Sequence, residues 1–214
     1  MDFLRKHWLM LVLTGFAVWW FFTGDDPVML VKSFIGRGRR LGTHHQDADG
    51  NNLESIDDLV AGAAAILGRP VSRDAYMLAS VSASEHPHAD EKEKAIIQRV
   101  MMNDAAAHSW SLQYVITVGK GMGVQTGRRC STVNGPWEDD LRIAEANLAG
   151  TIADQSMGST HFVHKTGFKT LTDYRELCDK WYAESGIVPY DVGGVSSLRI
   201  FLPEDQVAQL EVAA

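Results

Sequence analysis

The stretch that decides the fold is SRDAYMLASVSASEHPHADEKEKAIIQRVMMN, residues 72–103. Apolar and small residues recur at helical spacing on both sides of Pro87, which predicts two helices with a break at the proline. Ser72 has a side chain that caps the first helix, and Asp90 with Glu93 resembles a capping box at the start of the second. The stretch therefore predicts a helical pair.

Glu85 closes the apolar run of the first predicted helix and is followed at once by His86-Pro87-His88. Partial removal of a carboxyl group from water favours its protonated form, which is the form that a glycosidase acid needs. Taken alone, however, the position is more typical of an ordinary helix end before a proline. Support for a catalytic role must come from other parts of the chain.

Spacing and turn residues predict the other elements of a predominantly helical α+β domain. In chain order these are a helix over residues 55–67, a helix or strand over 112–118, an irregular glycine-rich segment over 119–136, a helix over 138–153, a loop over 158–162, a helix over 171–185 and an edge strand over 198–202.

Composition limits the function classes. The 214 residues are 45% hydrophobic, which suits one globular domain. The net charge of −7 and the pI near 5.6, with no sustained basic stripe, argue against a nucleic-acid partner. Cys130 and Cys178 fit either a disulfide in an exported protein or two unpaired thiols. The sequence contains no Cys-x-x-Cys pair, so a zinc site built on thiolates is not expected.

The N-terminal part carries an uncharged run over residues 8–22, with Arg5 and Lys6 before it. This pattern predicts an uncleaved signal-anchor, and hence a single-pass inner-membrane protein whose catalytic domain lies in the periplasm. The expected organisation is an anchor helix over residues 1–35, a linker over 36–53 and a folded domain over 54–214. A buried or amphipathic helix in a larger assembly is the alternative for the apolar run.

Three separated segments together resemble the SleB-like cell-wall hydrolases of the phage-associated type, the lytic transglycosylases that cut peptidoglycan. Glu85 followed by Asn103 resembles the family's Glu-x(17)-Asn signature, the loop from Gly123 to Pro136 resembles a glycan-binding loop, and Gly158-Ser-Thr-His161-Phe162 resembles the Gly-Ala-x-His-Phe segment that closes the catalytic cleft. The resemblance covers residues 72–168. His86-Pro87-His88-Ala89 departs from the family's Ala-Arg-Gly-Glu, so only the first carboxylate carries over.

The resemblance implies a lysozyme-like domain that cleaves the β-1,4 bond between N-acetylmuramic acid and N-acetylglucosamine without a cofactor. Glu85 would be the single acid and then base, and Asn103 would support it. The residues implied in substrate binding are Gln125, Arg128, Ser131, Thr132, His161 and Phe162. Expected partners are peptidoglycan, the membrane, and an envelope-spanning or phage assembly protein.

Three alternatives remain open. A muramidase-type hydrolase would need a second carboxylate; Asp90, Glu91 and Glu93 are nearest in sequence, but helix capping and a solvated first turn explain them better. A non-catalytic peptidoglycan-binding or assembly protein would explain the altered residues after Glu85. A metal-dependent hydrolase could use His86, His88, His161 and His164, although no His-Glu-x-x-His is present and no metal site is expected.

Overall fold

The computed structural model describes residues 38–42, 54–86, 89–117, 135–164, 170–195 and 198–213. Within these ranges no helix is both long enough and apolar enough to span a bilayer. The anchor predicted over residues 1–35 lies outside the described residues, as do Pro87, His88 and most of the predicted linker.

Capping residues set the ends of the helices. The described helices are α1 (Ile56–Leu67), α2 (Arg73–Glu85), α3 (Glu91–His108), α4 (Leu112–Thr117), α5 (Glu138–Leu148), α6 (Leu171–Ser185) and α7 (Glu204–Ala213). The side chains of Ser72 and Asp90 accept hydrogen bonds from the third backbone N–H of α2 and α3, which confirms both predicted caps. Gly68 ends α1 in the left-handed conformation, at φ 70°.

Helix α2 lies at the centre of the helical layer. Nine consecutive residues, 75–83, are buried, because α2 is covered by α1, α3, α4 and α5. Its small residues allow this close packing on several sides. The helix that ends in Glu85 is therefore held by contacts around its whole circumference.

The sheet is small and antiparallel, with strand order β1-β3-β2. The strands are β1 (His161–His164), β2 (Ile187–Tyr190) and β3 (Leu198–Pro203), and β1 pairs with β3 in the register His161 to Phe201. Two predictions were wrong here. Residues 198–202 form the central strand rather than an edge, and His161 and Phe162 lie in a strand rather than a loop.

A buried polar network joins α2, α3 and α5. The Lys94 ammonium pairs with the Asp140 carboxylate, and both side chains are at most 3% exposed. Gln98 Nε2 donates to Ser82 Oγ at 2.9 Å, and Asn147 Nδ2 donates to Gln98 Oε1 at 3.1 Å. Such groups are tolerated in a core when they satisfy one another, and the network fixes the relative positions of the three helices.

Part of the predicted linker belongs to the folded unit, which spans residues 38–214. Leu41 is 1% exposed, and its backbone N–H donates to the Pro136 carbonyl at 2.8 Å. Arg40 lies over the Trp137 ring at 4.3 Å. Residues 38–42 thus pack beside the start of α5, and the folded domain begins earlier than the predicted residue 54.

Candidate functional site

The candidate site lies where the end of α2, the start of α3 and strand β1 meet. Glu85 is the last residue of α2 and is half-buried. His86 caps the helix with backbone angles of φ −146° and ψ 84°, and its N–H donates to the Ser82 carbonyl at 3.1 Å. The Ala89 N–H donates to the His86 carbonyl at 3.1 Å. Glu85 therefore stands at the capped end of a buried helix.

Asn103 connects α3 to the segment before β1. Its Nδ2 donates to Ser156 Oγ at 2.8 Å and to the Ser159 carbonyl at 3.0 Å. Ser159 is itself buried, and its Oγ donates to the Phe201 carbonyl at 2.7 Å. The asparagine thus fixes the Gly158 to Phe162 segment to the helix that follows Glu85, instead of bonding near Glu85 itself.

Strand alternation divides the residues of β1 between two faces. Phe162 and His164 share one face, where their rings are 5.9 Å apart. His161 lies on the other face, with its ring 4.8 Å from that of Trp181. The His-x-x-His pair weighed as a metal motif therefore cannot converge, because positions three apart on a strand point to opposite sides.

The two predicted substrate contacts on β1 differ in exposure. Phe162 is 4% exposed and belongs to the main hydrophobic core, so its side chain packs in the interior. His161 is half-buried, and its Nδ1 lies 2.8 Å from Thr160 Oγ1. Burial is the main cause that lowers the pKa of His161, and the charge of His108 adds to it. His161 is thus mainly neutral at neutral pH.

Glu93 is the main site residue that sequence reasoning missed. Its side chain is 7% exposed, and its Oε1 lies 3.1 Å from His86 Nδ1 and 3.6 Å from His164 Nδ1. The expectation of a solvated first turn was wrong for this residue, although it was right for Glu91, which is exposed and pairs with Arg142 at 3.0 Å. The signal was available, since Glu93 continues the buried stripe of α3 that includes Ile96, Ile97 and Val100.

The two imidazoles beside Glu93 pack against each other, with ring centroids 4.5 Å apart. Burial lowers the pKa of His164 to about 4; the nearby His86 also lowers it, and Glu93 opposes the shift. His164 is therefore neutral at physiological pH, with one ring nitrogen free of a proton.

A second ionisable pair lies further along α3. Asp104 is 3% exposed, and burial raises the pKa of its carboxyl group, although His108 at 3.0 Å opposes the shift. The His108 ring stacks on Trp110 at 4.3 Å, and Trp110 packs against Tyr114. The two aromatic side chains are more than one-third exposed, so this end of α3 presents an aromatic surface to solvent.

Most of the predicted glycan-binding loop belongs to the part of the chain that the structure does not describe. Gln125, Arg128, Ser131 and Thr132 lie outside the described residues, and so does Cys130. Cys178 on α6 has no disulfide partner within the described ranges. The structure thus brings His86, the neighbour of Glu85, against His164 of β1, and joins Asn103 to the segment before β1.

Comparisons with models of protein families, with curated proteins and with solved structures each found no match to this chain.

Proposed function

We propose that the protein is a peptidoglycan lytic transglycosylase with a lysozyme-like catalytic domain, and that Glu85 is its catalytic acid and base. The supporting observation is the meeting of motif segments that are far apart in sequence. Asn103 bonds the segment before β1, and His164 at the end of β1 packs against His86, the neighbour of Glu85. A glycan cleft built from these segments needs them on one side of the domain.

In the proposed reaction, the Glu85 carboxyl proton moves to the glycosidic oxygen as the bond from that oxygen to C1 of N-acetylmuramic acid breaks. The resulting Glu85 carboxylate then takes the proton of the C6 hydroxyl of the same sugar. The C6 oxygen bonds to C1 and closes a 1,6-anhydro ring, so no water is consumed and Glu85 ends protonated. One carboxyl group is sufficient for both steps.

The nearby carboxylates have other contacts, which favours a single-acid mechanism over ordinary hydrolysis. Asp90 caps α3 through the Glu93 N–H at 2.8 Å, and Glu91 pairs with Arg142. Glu93 faces two imidazoles instead of an open surface. A hydrolase with two catalytic carboxylates would require a second acid about 5 to 9.5 Å from the first.

Substrate contacts are proposed for the polar residues of the predicted loop. Gln125, Ser131 and Thr132 offer donors and acceptors for sugar hydroxyl and acetamido groups, and Arg128 offers a guanidinium for a carboxylate of the lactyl group or peptide stem. The predicted contact by His161 is not part of this proposal, because His161 lies on the face of β1 that packs against Trp181, opposite to the face of His164, and Phe162 supports the strand from the core. The proposal places the domain in the periplasm, tethered by the N-terminal segment, where an envelope-spanning or phage assembly protein could be its partner.

The proposal is tested by incubating the full-length chain, in detergent, with purified sacculi and measuring released muropeptides. Glu85→Gln keeps the size of the side chain but removes its proton-transfer function, so we expect release to fall by at least about 100-fold, within the range of acid–base contributions. Glu91→Gln is the matched control, since Glu91 is an exposed glutamate with a surface ion pair; it should retain wild-type release.

Both variants should keep the circular dichroism spectrum of the wild type. Release by Glu85→Gln at the wild-type rate would exclude the mechanism. Sedimentation of the wild-type protein with sacculi, without soluble products, would favour the non-catalytic binding protein instead.

A further inference from the structure

We propose that His86, Glu93 and His164 form a binding site for one divalent transition-metal ion, with Zn²⁺ the best match to the ligand set. The proposal does not rest on glycan cleavage. It also lies outside the family resemblance, because His86 stands where the resembled family has alanine. One ligand atom from each residue lies within 4.8 Å of the others.

The distances agree with zinc coordination. Zinc binds imidazole nitrogen and carboxylate oxygen at about 2.0 to 2.2 Å, so two ligands in tetrahedral arrangement stand about 3.4 Å apart. The two measured separations from Glu93 Oε1, 3.1 Å to His86 Nδ1 and 3.6 Å to His164 Nδ1, lie on either side of that value. The ligand nitrogens of the two histidines lie within 4.8 Å of each other, so binding of the ion would draw the two imidazoles closer together.

Three of the four imidazole nitrogens of this cluster make no hydrogen bond to the described residues. His86 Nδ1 and both ring nitrogens of His164 are buried and have no hydrogen-bond partner among the described residues. The short separations from Glu93 are thus close contacts without hydrogen-bond alignment. Buried polar atoms are usually satisfied, and the two nitrogens nearest Glu93, His86 Nδ1 and His164 Nδ1, would be satisfied if each gave its lone pair to a cation held together with the carboxylate.

The ligands come from three elements that the fold holds firmly. His86 follows buried α2, Glu93 lies in the first turn of α3 with its N–H bonded to Asp90, and His164 pairs with Leu198 in the sheet. Two histidines and one glutamate are a known catalytic zinc set, which leaves a fourth position for water or substrate. A bound ion would also fix the helix end that carries Glu85.

The test is metal binding by the full-length chain after chelator treatment and dialysis. We expect titration with Zn²⁺ to show one more bound ion for the wild type than for His164→Ala or Glu93→Gln. If a variant still binds an ion at this site, its affinity should be at least about 100-fold lower than that of the wild type. His108→Ala is the matched control, because His108 also contacts a buried carboxylate, that of Asp104, yet among the described residues it belongs to no ligand cluster. It should bind as many ions as the wild type.

Two further measurements keep the outcome independent of folding and of catalysis. Co²⁺ should give the visible absorption of a tetrahedral site with nitrogen and oxygen ligands, in the wild type and not in Glu93→Gln. Zn²⁺ should raise the melting temperature of the wild type, whereas Mg²⁺ at the same concentration should not. Equal Zn²⁺ binding by the wild type and folded Glu93→Gln, or no stoichiometric binding by the wild type, would overturn the proposal, whatever the activity on sacculi.

Discussion

Replacement of Asn103 by leucine tests whether this side chain holds the segment before β1. The substitution keeps similar volume but removes the two hydrogen bonds to Ser156 and Ser159. Each bond contributes about 1 kcal/mol, and leaving the carbonyl of the buried Ser159 without this donor adds about 1 kcal/mol, so we expect a loss of about 2 to 3 kcal/mol. For a folded unit of this size, that loss lowers the melting temperature by about 4 to 12 °C.

The matched control for Asn103→Leu is Asn147→Leu. Asn147 also donates two hydrogen bonds, to the Ala95 carbonyl and to Gln98 Oε1, both at 3.1 Å, but it joins α3 to α5 away from β1. Thermal melts should show comparable destabilisation of both variants. Release of muropeptides from sacculi below the melting range should fall by at least about tenfold only for Asn103→Leu, because only that variant releases the cleft segment. An unchanged melting temperature for Asn103→Leu would refute the hydrogen-bond reasoning, and equal activity losses would refute the positioning role.

Two further predictions concern the ionisable groups of the core. Lys94→Met leaves the buried Asp140 carboxylate without its charged partner and should lower the free energy of unfolding, measured in urea, by about 3 to 5 kcal/mol. Arg69→Met breaks the exposed pair with Glu145 and should lower it by less than about 1 kcal/mol. Equal losses in the two variants would contradict the role given to burial. Burial raises the pKa of Asp104, so its contribution to stability is full below the ordinary aspartate pKa and is lost as the pH rises through the raised value. Melting temperatures between pH 3 and 7 should therefore show a growing advantage of Asp104→Asn over the wild type as the pH rises, and a constant difference would contradict this.

Most helix ends were predictable from the sequence because they depend on local chemistry, but the helix predicted over residues 138–153 ends at Leu148. Ser72 and Asp90 cap the helices where expected, and α6 occupies the predicted residues 171–185. Each signal depends on side chains within one turn of the helix end, so it needs no knowledge of tertiary structure.

The sheet was less predictable, because pairing depends on partners far away in sequence. Residues 161 and 162 looked like a loop since only four residues form β1, and their partners lie about forty residues later in β3. The same distance explains why β3, buried from Leu198 to Leu202, was taken for an edge strand. A fully buried strand has no polar alternation to mark its position.

The site was predictable in its anchor residues but not in their contacts. Glu85 was expected at the end of its helix, and it lies there. The position of Glu93 on the buried stripe of α3 indicates burial, but its contacts were missed because carboxylates in a first helical turn are usually solvated. The sequence around Glu93 also does not identify His164 of β1 as the residue that covers it. Lys94 and Asp140 were missed for a related reason, since their pairing depends on the packing of α3 against α5.

Mass analysis of the products that the full-length chain releases from purified sacculi tests the central claim most directly. The account predicts soluble muropeptides that end in 1,6-anhydro-N-acetylmuramic acid, formed by the wild type and not by Glu85→Gln. Products with reducing N-acetylmuramic acid ends would contradict it in favour of hydrolysis, and binding to sacculi without soluble products would contradict it in favour of a non-catalytic role.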